Sequence, residues 1–151
     1  MESYGKITLT NETTCYKLSC VIQNTPLTPL KWIAFIDEFN KVVKKISEDD
    51  NIQKFYMYFD INYVDILMKP DNYKDIINIF KDNQKMFIDR LLGTFIYIDS
   101  NLLNMIIHIF IKFYSPVKPL FILKSDYIDP SILNDLLENR KNQNEYIFNL
   151  K

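Results

Sequence analysis

Residues 55–61, FYMYFDI, give a strong indication of the kind of sheet this chain forms. This stretch is aromatic or apolar at nearly every position, has the length of a strand, and contains neither glycine nor proline. A strand that is apolar on both faces is typical of the centre of a parallel sheet with helices on both sides. Two further runs have this character, residues 94–98 (TFIYI) and 120–123 (LFIL). We therefore expect three parallel strands in one sheet.

The segments around these strands complete an α/β pattern. Residues 6–10 (KITLT) and 16–22 (YKLSCVI) alternate in polarity, which predicts a β-hairpin. From residue 30 to residue 46 apolar side chains recur with a period of 3.6, which predicts an amphipathic helix. A second helix is predicted to start at Pro70 and to end at Gly93. A short helix is expected after the last strand. The predicted order is a hairpin, a helix and three β-α units, so we expect an α/β fold with a mixed sheet and helices packed on it.

Length and composition bound the domain organisation. The chain has 151 residues, of which 48% are hydrophobic and 25% charged, as in an ordinary globular protein. We expect a single domain over residues 1–151, in which the polar end, residues 142–151, either frays or packs back. The abundance of isoleucine, lysine and asparagine indicates an AT-rich genome, a coding bias that carries no chemistry.

Several function classes are disfavoured by charge and glycine content. The formal net charge is -1, whereas domains that bind nucleic acid through bulk electrostatics are usually strongly basic. The two glycines, Gly5 and Gly93, cannot form a glycine-rich loop that holds phosphates. We therefore expect no nucleic-acid partner and no cofactor.

Metal sites and membrane segments are disfavoured as well. Only Cys15, Cys20 and His108 could supply nitrogen or sulfur ligands, which is fewer than a structural zinc site needs. No run of 18 apolar residues predicts a transmembrane helix, and no apolar region follows the N-terminus as in a signal peptide. We expect no metal, no transmembrane segment, and a cytoplasmic protein with reduced thiols.

The most unusual segment is residues 102–114, which we interpret as a helix because a cap cluster precedes it and Pro116 follows it. Its polar residues are Asn104, His108 and Lys112, four apart, so they form one narrow stripe. A helix on a protein surface normally has a wider polar face. Part of the apolar surface is therefore expected to face something other than the sheet, although burial by the chain's own loops is an equally simple reading.

The C-terminal half resembles a known family. The residues that carry the resemblance are 92–98 (LGTFIYI), 110–114 (FIKFY) and 115–122 (SPVKPLFI). They are similar to the pattern of the STAS-like family, the fold of anti-sigma-factor antagonists, and to its branch related to the CRAL-TRIO lipid carriers. The resemblance covers roughly residues 55 to 138 and implies a STAS-like domain that binds a partner and catalyses no reaction.

One departure from that family limits what the resemblance implies. Classical antagonists carry a phosphorylatable serine or threonine, with glycine, just after the strand that here ends at Asp60. Residues 62–71 of this chain (NYVDILMKPD) contain none of these three residue types. The resemblance therefore implies a binding module and not a phosphorylation switch of that type.

The polar residues offer no catalytic constellation, so we expect no catalytic residues and no enzyme. His108 is the only histidine, and no nucleophile elbow accompanies it. Asp60 and Asp99 each end a predicted parallel strand, and the carboxyl ends of such strands form the usual ligand crevice. We take Asp60, Asp99 and Ser100 as candidates for a polar rim there, with helix capping as the alternative role of Asp99 and Ser100.

The function predicted from sequence is that of an interaction module. It docks a protein partner, or a second copy of itself, through the apolar helix 102–114 and the following proline loop. The alternative is a carrier of a lipid or other hydrophobic ligand, or a peripheral membrane binder, like the CRAL-TRIO proteins. The predicted contact residues are Leu103, Ile106, His108, Phe110, Phe113, Tyr114, Pro116 and Pro119.

Overall fold

A computed structural model of the chain describes residues 3–64, 69–101, 105, 107–108, 118–138 and 147–149. Within these ranges six strands form one sheet, in the order of the sequence. The strands are β1 (Gly5–Asn11), β2 (Tyr16–Ile22), β3 (Phe55–Asp60), β4 (Leu91–Tyr97), β5 (Leu120–Leu123) and β6 (Ile147–Asn149). β1 and β2 are antiparallel, and every later neighbour pair is parallel. The α/β fold class with a mixed sheet is confirmed.

The described helices pack on this sheet. They are α1 (Pro29–Glu48), α2 (Pro70–Asp82), α3 (Gln84–Arg90) and α4 (Pro130–Leu137). Thr28 caps α1 by accepting the N–H of Lys31, and Asp129 caps α4 by accepting the N–H of Ser131. A proline stands in the first turn of α1, α2 and α4, where its missing N–H costs nothing.

The sheet has two faces with different helical cover. On the first, which we call the α1 face, apolar residues of β1 to β4 pack against α1, α2 and α3 in one cluster. On the second, the α4 face, residues such as Tyr56, Phe95 and Phe121 pack against Leu136 of α4. Because alternate residues of a strand point to opposite faces, strands covered in this way are apolar throughout, and β4 and β5 are buried almost entirely.

Two boundaries differ from the sequence prediction. The single helix expected from Pro70 is divided at Asn83 into α2 and α3. The strand that follows begins at Leu91, so Gly93 lies inside β4 and does not mark a helix exit. The β3–β4 register is irregular between Phe55 and Met57, and a glycine suits such a bulge because a side chain there would crowd the next strand.

Candidate docking surface

The segment interpreted as an apolar helix lies partly within the described residues. Met105, Ile107 and His108 are helical, as predicted, and Asn101, expected in the cap cluster, is helical as well. Ile107 is 8% exposed and belongs to a buried cluster with Ile96, Ile98, Leu120 and Ile122 on the α1 face. Met105, two residues before it, is 61% exposed. One side of this segment therefore packs on the sheet through Ile107, and another exposes the side chain of Met105 to solvent.

The predicted contact residues divide into three groups. His108 is exposed, as a contact residue must be. Pro119 is fully buried, and its carbonyl oxygen accepts the N–H of Thr94 in β4 at 2.9 Å. Pro119 is therefore corrected from a surface contact to a structural residue at the start of β5. The others lie outside the described residues: Leu103, Ile106, Phe110, Phe113, Tyr114 and Pro116.

The candidate polar rim is held together by an asparagine that the sequence analysis did not single out. Asp60 Oδ1 accepts hydrogen bonds from the backbone N–H of Asn62 at 3.2 Å and from its side-chain amide at 2.8 Å. Asn62 Oδ1 in turn accepts the N–H of Asp99 at 2.6 Å. The ends of β3 and β4 are thus linked through Asn62. Asp99 is exposed and Ser100 half-buried, and both directly precede the helical residue Asn101.

The negative charge of nearby carboxylates helps to raise the pKa of two tyrosines on the α4 face. Burial, and then the carboxylates of Asp60 and Asp126, raise the pKa of Tyr58 to about 12. Burial also raises the pKa of Tyr97, with Asp99, Asp60 and Asp126 adding to the effect. Both phenols are therefore neutral at physiological pH. They can donate a hydrogen bond to a ligand, but they are poor bases and poor nucleophiles.

A small apolar cavity lies on the α1 face at the carboxyl ends of β2 and β3. Its volume is about 80 Å³. Its lining includes buried residues such as Cys20 and Phe35 and half-buried ones such as Ile36 and Ile76. Beside it the indole N–H of Trp32 in α1 donates to the Asp75 carboxylate of α2 at 2.8 Å. The complete lining is Tyr4, Cys20, Ile22, Trp32, Phe35, Ile36, Phe39, Phe59, Ile61, Val64 and Ile76.

The two cysteines are buried free thiols, and burial raises the pKa of both. Within the part of the chain that the structure describes, no three histidine, cysteine or acidic side chains are grouped as a metal site requires. No helix among the described residues is long and apolar enough to cross a membrane. Comparison with known proteins adds no relative, since no protein-family model and no curated protein matches the chain.

Proposed function

We propose that the protein is a non-catalytic, cytoplasmic interaction module of the STAS-like type. Its docking surface is the solvent side of the helical segment at Met105 and His108. The occupant is an apolar surface of a protein partner. The STAS-like type rests on the resemblance carried by residues 92–98, 110–114 and 115–122.

The exposure of Met105 carries this proposal. Ile107 shows which side of the segment the sheet buries, and Met105 is 61% exposed on another side. In the sequence around it, residues 102–114, only Asn104, His108 and Lys112 are strongly polar. An apolar side chain of this size gains about 1.5–3 kcal/mol when a partner buries it completely.

Charge favours a protein over an anionic membrane or a nucleic acid as the occupant. The chain has a formal net charge of -1, so it has no overall attraction to anionic lipids or to phosphates. The exposed carboxylate of Asp99 lies at the N-terminal end of the same segment and would repel both. A protein surface that is mainly apolar meets neither penalty.

Photo-crosslinking at single positions tests the docking surface. A benzophenone amino acid replaces Met105 in one variant and Ile88 of α3, which is 47% exposed, in a control variant. Both are irradiated in an extract of the source cells. We expect a discrete protein adduct from position 105 that unlabelled wild type displaces and the Met105→Asp variant does not. Equal adducts from positions 105 and 88, or displacement by both competitors, would refute the proposal.

The apolar cavity favours a second candidate, the binding of a hydrophobic ligand. The surface that lines the cavity is apolar, as the binding of a hydrophobic ligand requires. Its volume of about 80 Å³ is well below the roughly 300–1,000 Å³ of ordinary ligand pockets, so we place this function second. Native mass spectrometry of the purified chain tests it, with pelleting on vesicles of neutral and anionic lipid as a second measurement. A co-purifying lipid would reverse the ranking.

A further inference from the structure

β1 is the outer strand of the sheet, and its free edge has an identifiable composition. Among the described strands only β2 pairs with it. In an antiparallel pair alternate residues bond to the neighbour and the others direct their N–H and C=O groups away from it. The N–H of Gln23 donates to Tyr4 O at 2.8 Å, and the N–H of Glu12 to Cys15 O at 2.9 Å. The even-numbered residues of β1 therefore direct their backbone N–H and C=O groups to β2. The odd-numbered residues Ile7 and Leu9 direct theirs away from the sheet.

This edge lacks most of the features that keep edge strands from pairing. β1 has seven residues, and its register with β2 is continuous over seven pairs without a bulge. It contains no proline, and Lys6 is its only charged residue. Natural proteins usually protect an edge by shortening it, bulging it or placing charges and prolines on it. An edge of this length that has no bulge and only one charge is suited to accept another strand.

The order of side chains along β1 indicates which strand fits. Residues 6–10 (KITLT) read polar, apolar, polar, apolar, polar from either end, with Thr8 at the centre. In an antiparallel two-fold pair centred on Thr8, this order places apolar residues opposite apolar ones and polar residues opposite polar ones. We propose that a second copy of this chain pairs its β1 antiparallel to this one, with the two-fold axis at Thr8. The two sheets then form one continuous sheet.

The proposed register satisfies the outward backbone groups of both copies. Ile7 lies opposite Leu9 of the second copy, and the two residues exchange two backbone N–H···O=C hydrogen bonds. By symmetry, Leu9 pairs in the same way with Ile7 of the second copy. These apolar pairs lie on the α1 face, while Lys6 lies opposite Thr10 of the second copy, so no like charges face each other. The Gly5 carbonyl already accepts the hydroxyl of Ser3 at 2.6 Å, which confines the new pairing to the centre of the strand.

Single cysteines test the register. Thr8 lies opposite Thr8 of the second copy at a position without backbone hydrogen bonds, where Cβ atoms are about 4.5–5.5 Å apart. We expect Thr8→Cys to form an intermolecular disulfide under mild oxidation. Thr10→Cys is the matched control, since two such residues lie about 14 Å apart along the strands. The buried Cys15 and Cys20 contribute little background. Equal crosslinking of both variants, or none at position 8, would overturn the proposal.

Proline substitution tests whether the edge itself is the interface. Leu9→Pro removes an N–H that points away from β2, which an edge strand tolerates, and places a ring where the second copy would lie. We expect light scattering to show a dimer for wild type and a monomer for Leu9→Pro, with the helical and sheet circular dichroism retained. Thr10→Pro removes an N–H bonded to β2 and is expected to lower the melting temperature instead.

The outcomes separate this interface from the docking surface at Met105. Met105→Asp should leave the β1 dimer intact, because the two surfaces share no residue. A wild-type chain that stays monomeric at every concentration overturns the proposal and leaves the edge to a strand from another protein. If Leu9→Pro fails to fold, the comparison of Thr8→Cys with Thr10→Cys still decides.

Discussion

Arg90, the last residue of α3, should be among the most costly polar residues to replace. Its Nη1 donates to Ile46 O at 2.5 Å and to the carbonyls of Asp49 and Ile52, each at 3.3 Å. Ile46 lies in the last turn of α1, whose final carbonyls have no partner within the helix. The Arg90 guanidinium thus caps the C-terminal end of α1 and binds the backbone of the loop that connects α1 to β3.

The expected cost follows from these contacts. A hydrogen bond to a charged group contributes about 1.5–3 kcal/mol, and the Nη1 atom has only two N–H groups to share among three carbonyls. A cation at a helix C-terminus adds about 0.3–1 kcal/mol. We expect Arg90→Met, which keeps the apolar stem, to lower the free energy of unfolding by about 3 kcal/mol. That corresponds to a fall in melting temperature of about 6–12 °C for a chain of this length.

Urea unfolding and thermal melts measure the effect. Lys85→Met on the exposed side of α3 is the matched control and should change the stability by less than about 0.5 kcal/mol. Arg90→Lys keeps the charge but not the planar fork and should fall between the two. Equal midpoints for Arg90→Met and Lys85→Met would refute the assignment of Arg90 as the residue that closes α1.

Three further perturbations test the packing and the electrostatics of the α4 face. Phe121 is fully buried and stacks on Phe95 with ring centroids 4.9 Å apart. Phe121→Ala should therefore lower the free energy of unfolding in urea by about 3–5 kcal/mol. A decrease of less than about 1 kcal/mol would contradict the stacked core. Gly93→Ala places a Cβ 3.1 Å from the Pro119 carbonyl oxygen, and we expect overpacking to cost about 1–3 kcal/mol, measured in the same assay. Since burial and nearby carboxylates raise the pKa of Tyr58 to about 12, its contribution to stability is complete below its unfolded pKa of about 10 and is lost as pH rises through 12. Thermal melts from pH 8 to 12 should therefore fall more steeply for wild type than for Tyr58→Phe, and parallel curves would contradict this pKa.

The local patterns of the sequence determined the elements themselves. The apolar run at residues 55–61 predicts β3, and the period of 3.6 over residues 30–46 predicts α1, whose buried side includes Trp32, Phe39 and Ile46. These predictions succeed because the spacing of apolar side chains is a property of neighbouring residues. The capping residues Thr28 and Asp129 are equally local, since each accepts an N–H two or three residues away.

Contacts between distant residues could not be read in this way. Arg90 meets Ile46 across 44 residues and Asn62 meets Asp99 across 37, and neither pair has a sequence pattern. The break between α2 and α3, the bulge beside Gly93 and the pairing of β6 with β5 likewise depend on how strands align.

Local patterns therefore predicted the α/β class, the hairpin, α1 and the strands β3 to β5, but neither β6 nor the break between α2 and α3. Packing of the whole chain set the exposure of Met105, Ile107 and Pro119, which no local pattern predicted. It buries Ile107 on the sheet, leaves Met105 exposed and withdraws Pro119 into the fold. The physical reason is that apolar character makes burial favourable, while the neighbour that provides the burial is set by sheet pairing across the whole chain.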